Sequence, residues 1–261
     1  MNRAIFHPGP FAGRPSASPR RARVARQAGF TLIELMIALL IGLFLIGGLL
    51  TLVQAMKRTS TVQNGLSQLQ ENERLAMTLV TNVVQSTGYF PDPLNNSQAS
   101  EFPAAGAFVV SQALYGTGTG TLDTISVRYA TSGTDNVMDC SGNTQTAAAT
   151  LTNLFSLDAH GDLQCTLTVG AGAPALITLV SGLTNIAVLY GVQTNSASGN
   201  NSIDTYLNAN QVTAGNYWPD VISVEVALTF TNPLYGQPGQ TNQTITFRRV
   251  IDLMNKAGVN T

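Results

Sequence analysis

The sequence predicts an α+β protein in which a long N-terminal α-helix, transmembrane in its first part and amphipathic in its second, packs on a mainly antiparallel β-sheet domain. Three observations carry that prediction. Residues 35–53 hold no charged side chain, no proline occurs between Pro19 and Pro91, and beyond residue 102 apolar residues recur at alternate positions. At 261 residues the chain has room for one membrane segment and one globular domain of ordinary size.

Charge divides the chain more sharply than its net of −1 suggests. Six arginines (Arg3, Arg14, Arg20, Arg21, Arg23, Arg26) and no acid precede Phe30, whereas seven bases and all 14 acids follow it. A basic flank before an apolar segment predicts a cytoplasmic N-terminus and an exported C-terminal part. Residues 1–29 include Pro8, Pro10, Pro15 and Pro19 and no apolar core, so they read as a disordered leader. The leader is long for that role, which leaves open whether Met1 or a later position is the true start. A secretory signal peptide would carry its small-residue cleavage site after the apolar run; residues 52–56 offer a poor one, and Gly29 lies before the run instead. Charged residues are only 10% of the chain, which suits an exported polar β domain and gives nucleic acid little to hold.

The apolar run of 19 residues reaches about 28 Å as a helix, close to the roughly 30 Å of a hydrocarbon core. Nothing forbids continuation to about Thr87, a helix on the order of 85 Å. Val62, Leu66, Leu69, Ala76, Val80 and Val83 form a stripe at helical spacing that predicts packing on the globular domain. Gly88, Pro91 and Pro93 supply the stop. Gly42, Gly47, Gly48 and Gly65 each cost about 1 kcal/mol of propensity relative to Ala. They read as ordinary membrane-helix glycines, as a face where neighbouring helices approach closely, or as a place where the helix can loosen.

Alternation marks the strands: Ile125, Val127 and Tyr129; Leu163, Cys165, Leu167 and Val169; Ile186, Val188 and Tyr190; Ile222 through Phe230; and Ile245 through Ile251. Long Gly/Asn/Ser connections between them predict a mainly antiparallel sheet with one face against the helix. Segments 131–149, 191–218 and 231–242 are polar and read as mobile loops.

Gly29-Phe30-Thr31-Leu32-Ile33-Glu34, behind a basic leader and ahead of an apolar helix, resembles the class III signal of type IV pilins and type II secretion pseudopilins. The resemblance implies a pilin-like fold, cleavage after Gly29 by a prepilin peptidase, and N-methylation of the new amine of Phe30. It implies a layout of leader (1–29, removed), transmembrane and fibre-core helix (30–56), amphipathic second half (57–90) and periplasmic β-rich domain (91–261). Within the superfamily the chain is similar to the PilW group of minor pilins. The similarity rests on Gln70-Glu71-Asn72-Glu73-Arg74-Leu75-Ala76, Asp139-Cys140-Ser141-Gly142-Asn143, Leu163-Gln164-Cys165, Tyr190-Gly191-Val192, Tyr206-Leu207-Asn208-Ala209 and the closing strands. Expected partners are the peptidase, other minor pilins and the major pilin, an inner-membrane assembly platform and the lipid bilayer. The implied role is to start or support a pilus that serves twitching motility and attachment. A GspJ-like pseudopilin of a secretion system is the alternative within the same mechanism, and a membrane-anchored binding protein that never assembles is the alternative outside it.

Glu34 is the acid at the head of the apolar run. A carboxylate in that layer costs roughly 2.5–3.5 kcal/mol, so it demands a partner. No Lys, Arg or His follows before Lys57, and the nearest cation is the α-amine that cleavage at Phe30 creates, on this subunit or the next. Its ordinary pKa is about 8, so it is charged at neutral pH, and methylation keeps the charge. The plainer reading is that Glu34 complements the positive end of the helix dipole.

Cys140 and Cys165 are the only cysteines, and in an oxidising compartment they read as a disulfide, with free buried thiols the alternative. Asp158-Ala159-His160-Gly161-Asp162 suggests metal ligands at first sight, but between two alternating stretches it reads as a hairpin connection. His160 is the sole histidine after residue 29 and has no nucleophile motif with it, so no enzyme is expected. Trp218 before Pro219 reads as a packing anchor, and of Arg248 and Arg249 one is expected solvated and the other ion-paired. The loop after Tyr190 is often acidic in the PilW group, but here residues 193–204 hold one carboxylate, Asp204, so no metal and no cofactor is expected.

Overall fold

The computed structural model describes residues 29–195, 202–237 and 239–255. Of the expected leader only Gly29 lies among them. The helix expected over 30–87 is α1 (Leu32–Gln85). It ends where expected, with Gly88 in the left-handed region (φ 73°) and its amide donating to the Arg128 carbonyl at 2.8 Å. A short helix, α2 (Gln98–Glu101), follows.

Up to residue 56 nearly every side chain of α1 is exposed, including Phe44 at 84%. The second half is different. Leu69, Ala76, Met77, Val80, Val83 and Val84 are buried, and Val62 and Leu66 are half-buried, which is the face the apolar stripe predicts. The glycines divide as well. Gly42, Gly47 and Gly48 have no atom near the place a Cβ would take, but at Gly65 that place lies 3.0 Å from Pro233 Cβ. Gly65 is thus a close-approach position, against a loop of its own chain and not against another helix.

The β domain holds two antiparallel sheets where one was expected. The first runs β1 (Leu114–Thr117), β2 (Thr124–Thr131), β3 (Ala149–Leu157), β4 (Asp162–Val169), β5 (Ala175–Ser181) in that spatial order. The second has the order β7-β6-β8-β9, from β6 (Leu183–Val192), β7 (Thr205–Leu207), β8 (Val221–Thr231) and β9 (Thr244–Asp252). In-register pairs such as Ile125–Phe155, Phe155–Cys165, Val188–Val226 and Tyr190–Val224 put the alternating apolar sets on one side of each sheet. One buried cluster takes residues from both sheets and from α1.

Asp123, almost fully buried, links the sheets. Its carboxylate accepts the Val188 amide at 2.9 Å and the Gly120 amide at 2.9 Å, while its own amide donates to the Ile186 carbonyl at 3.0 Å. A buried carboxylate needs such donors, and here they tie the β1–β2 turn to β6. Gly116 on β1 lies over Tyr190 on β6: a Cβ there would stand 1.9 Å from the Tyr190 hydroxyl oxygen.

Two of the expected loops carry more structure than their polarity suggested. Segment 191–218 contains β7, the helix α3 (Ala209–Gly215) and a 3-10 turn, Trp218–Asp220. α3 is capped at its start by reciprocal bonds between Asn208 and Gln211 and at its end by left-handed Asn216 (φ 56°). In segment 131–149, the Tyr129 hydroxyl donates to the Met138 carbonyl at 2.6 Å and the Cys140 amide donates to Asn153 Oδ1 at 3.0 Å. Cys140 and Cys165 are joined in a disulfide with a Cα–Cα distance of 6.4 Å, both fully buried.

Two consequences can be measured. The bridge spans 25 residues, so replacing both cysteines by serine is expected to cost about 3–4 kcal/mol, read as a lower thermal midpoint of the full-length protein in detergent. Gly116→Ala is expected to cost about 1–3 kcal/mol by overpacking against Tyr190, whereas Gly120→Ala, where the Cβ position is open but φ is 111°, tests backbone strain alone. An unchanged midpoint for Gly116→Ala would contradict the close approach.

Candidate functional site

The candidate site is the head of α1. Gly29 and Phe30 lie just outside the helix and are exposed, Phe30 at 83%. Thr31 forms the cap: its hydroxyl accepts the Glu34 amide at 3.4 Å, and its carbonyl accepts the amides of Glu34 and Leu35 at 3.1 and 3.2 Å. Sequence reasoning passed over this residue, although Thr31 followed three positions later by Glu34 is the start pattern of a capped helix. Glu34 is the acid of the first turn, where the aligned amides favour negative charge. Its side chain is exposed and has no ion-pair partner among the described residues.

Below Glu34 the exposed side chains are Leu35, Met36, Ile37, Leu39, Leu40 and further apolar residues down to Met56. A helix apolar on every side is stable in lipid or in the interior of a bundle, and α1 is long and apolar enough to cross a membrane. The carboxylate therefore stands at the end of a surface that water does not suit.

The remaining candidates are placed in the β domain. Asp158 closes the β3–β4 hairpin by accepting the amides of His160 and Asp162 at 2.8 Å each, and Gly161 takes φ 82°. The donated amide of Asp162 comes first among the causes that hold the Asp158 carboxyl below the usual range. His160 is exposed, 3.6 Å from Asp158. This is turn chemistry, as the flanking alternation predicted. Trp218 packs edge-on to Tyr190 with ring centres 5.0 Å apart and donates its indole N–H to the Thr213 hydroxyl at 3.1 Å. Arg248 pairs with Glu225 at 2.8 Å across β8 and β9, and Arg249 reaches the Thr81 hydroxyl on α1 at 3.4 Å. Asp204 accepts the amides of Thr194 and Asn195 at 2.9 and 3.1 Å. Residues 196–201 of that loop lie outside the described residues.

Comparison with known families bears on both ends of the molecule. The family described as type IV pilus-assembly protein W matches residues 152–251, from β3 to β9, and the prokaryotic N-terminal methylation motif matches residues 24–50, across the Gly29–Phe30 junction and the head of α1. No curated protein matches the chain. With a methylation motif at the head of an apolar helix and a PilW match over the strands, the chain is similar to the type IV pilus minor pilins of the PilW group.

Proposed function

We propose that the chain is made as a membrane-anchored precursor, cut after Gly29 by a prepilin peptidase, methylated at the amine of Phe30, and drawn into a pilus, where it helps fibre formation begin. In this reading residues 1–29 are a leader left on the cytoplasmic side, 30–56 cross the inner membrane and later form fibre core, 57–90 carry the packing stripe, and 91–261 fold in the periplasm. Twitching motility and attachment depend on the fibre and so on this subunit. The work is association, with no reaction catalysed by the chain.

The observation that carries the reading is the methylation-motif match over residues 24–50, laid on a helix that begins at Leu32 with Glu34 in its first turn. Glu34 then has a specific task. When two apolar helices come together, its carboxylate leaves water or headgroups and needs a cation, and the N-terminal amine of an adjacent pilin offers one. The pair fixes the axial register of the two helices, because a shift of one turn, about 5.4 Å, separates the charges.

Glu34→Val tests this role. The variant is expected to insert and be processed normally yet be depleted at least about tenfold from sheared fibres, the loss that about 1.4 kcal/mol of coupling produces. Glu34→Asp, which keeps the charge, is expected to fall between. Incorporation of Glu34→Val at the parental level would remove the carboxylate from assembly.

A further inference from the structure

A cavity of about 460 Å³ opens in the β domain between segment 107–115, the end of α1, and the turn that carries Trp218. Its size lies in the range of roughly 300–1,000 Å³ usual for sites that enclose small molecules. The wall from Ala107 to Ala113 is held by an unusual device. Arg128, in the middle of β2, is 2% exposed and has no carboxylate partner among the described residues. Its guanidinium donates to the carbonyls of Pro103 (2.8 Å), Gln112 (3.1 Å from Nε) and Val109 (3.4 Å), and lies 4.3 Å from the ring centre of Phe108. Burial pulls the guanidinium below its ordinary pKa. A buried cation satisfied by carbonyls and the rings of Phe108 and Phe102 is a costly way to hold a loop, and it fixes the shape of one wall.

The lining chemistry is specific. No charged side chain lines the cavity among the described residues. Tyr115 and Trp218 supply aromatic surface, their rings 5.5 Å apart, and Val109, Leu114, Val221 and Leu253 supply aliphatic surface. Against this stand neutral hydrogen-bonding groups. The side-chain amide of Gln98 is one of them. Asn255 donates to the Gly88 carbonyl at 3.0 Å, which leaves its amide oxygen available, and left-handed Gly88 lets the amides of Asn255 and Gln98 approach. Asn216 adds another amide from the end of α3.

We propose that this cavity binds a short neutral saccharide. A charged ligand would be desolvated with no counter-charge, and a hydrocarbon would leave the amides of Gln98, Asn216 and Asn255 facing an apolar surface. A sugar ring meets both demands, with C–H faces for the aromatic and aliphatic wall and vicinal hydroxyls for amides that both donate and accept. All of its lining residues fall between positions 87 and 255 of the sequence.

The chain's single tryptophan, Trp218, reports occupancy directly. Full-length protein in a detergent without a sugar headgroup is titrated with glucose, galactose, N-acetylglucosamine and maltose while tryptophan emission is followed. The expected result is a saturable change with at least one of them. Gln98→Leu and Asn216→Gly, the latter suited to the left-handed backbone there, are expected to weaken it about five- to tenfold, the loss of one hydrogen bond each, with thermal midpoints no lower than the parent's. The midpoints separate lost binding from lost folding. No saturable change with any of these sugars, an equal response to glucose 6-phosphate, saturation only by an end-blocked apolar peptide, or affinities untouched by both substitutions would overturn the assignment.

Discussion

The β domain closes on one stripe of one helix. Leu69, Ala76, Met77, Val80, Val83 and Val84 of α1 lie in the same buried cluster as Tyr129 and Phe155 of the first sheet and Val188, Tyr190 and Val226 of the second. Two sheets of this size each have an apolar face to hide, and a helix laid against them supplies a shared cover. The stripe's spacing requires unbroken helix through this region, which explains why no proline interrupts 20–90 and why the stop signals gather at Gly88, Pro91 and Pro93. Asp123 and the Gly116–Tyr190 contact then fasten sheet to sheet, and the Cys140–Cys165 bridge fastens the long 132–148 connection to β4.

The same helix serves a second solvent. Where the stripe needs polar neighbours, residues 35–50 have none, and their side chains suit lipid on every side. Glu34 interrupts that pattern at a position where the helix dipole offsets only part of the cost. In the proposed fibre the remainder is met by a terminus that does not exist until the precursor is cut. In that proposal, processing and assembly are coupled through a single charge pair. An uncut chain has a peptide bond where, in that proposal, the ammonium should be.

Much of this was legible in the residues. The apolar run and the 3-4-7 spacing of Val80, Val83, Leu69 and Ala76 gave α1 within two residues at either end. Alternation located β2, β4, β6, β8 and β9, and the Asp158–Asp162 turn was recognisable because Gly161 and two flanking carboxylates are hairpin residues. What escaped has physical reasons. β5 is an edge strand with Val180 as its one buried residue, so burial imposed no alternation on it. Division into two sheets depends on which strands pair at long range, which no local pattern encodes. α3 is short, although Asn208 and Gln211 at cap spacing marked its start. Arg128 was invisible because its burial depends on carbonyls from a loop 16 to 25 residues away.

The most direct measurement is mass spectrometry of the N-terminal peptide of the mature protein extracted from membranes. A peptide that begins at Phe30 with a methylated amine is the result expected. A mature protein that still carries residues upstream of Phe30 would leave Glu34 without its cation and would contradict assembly by this route.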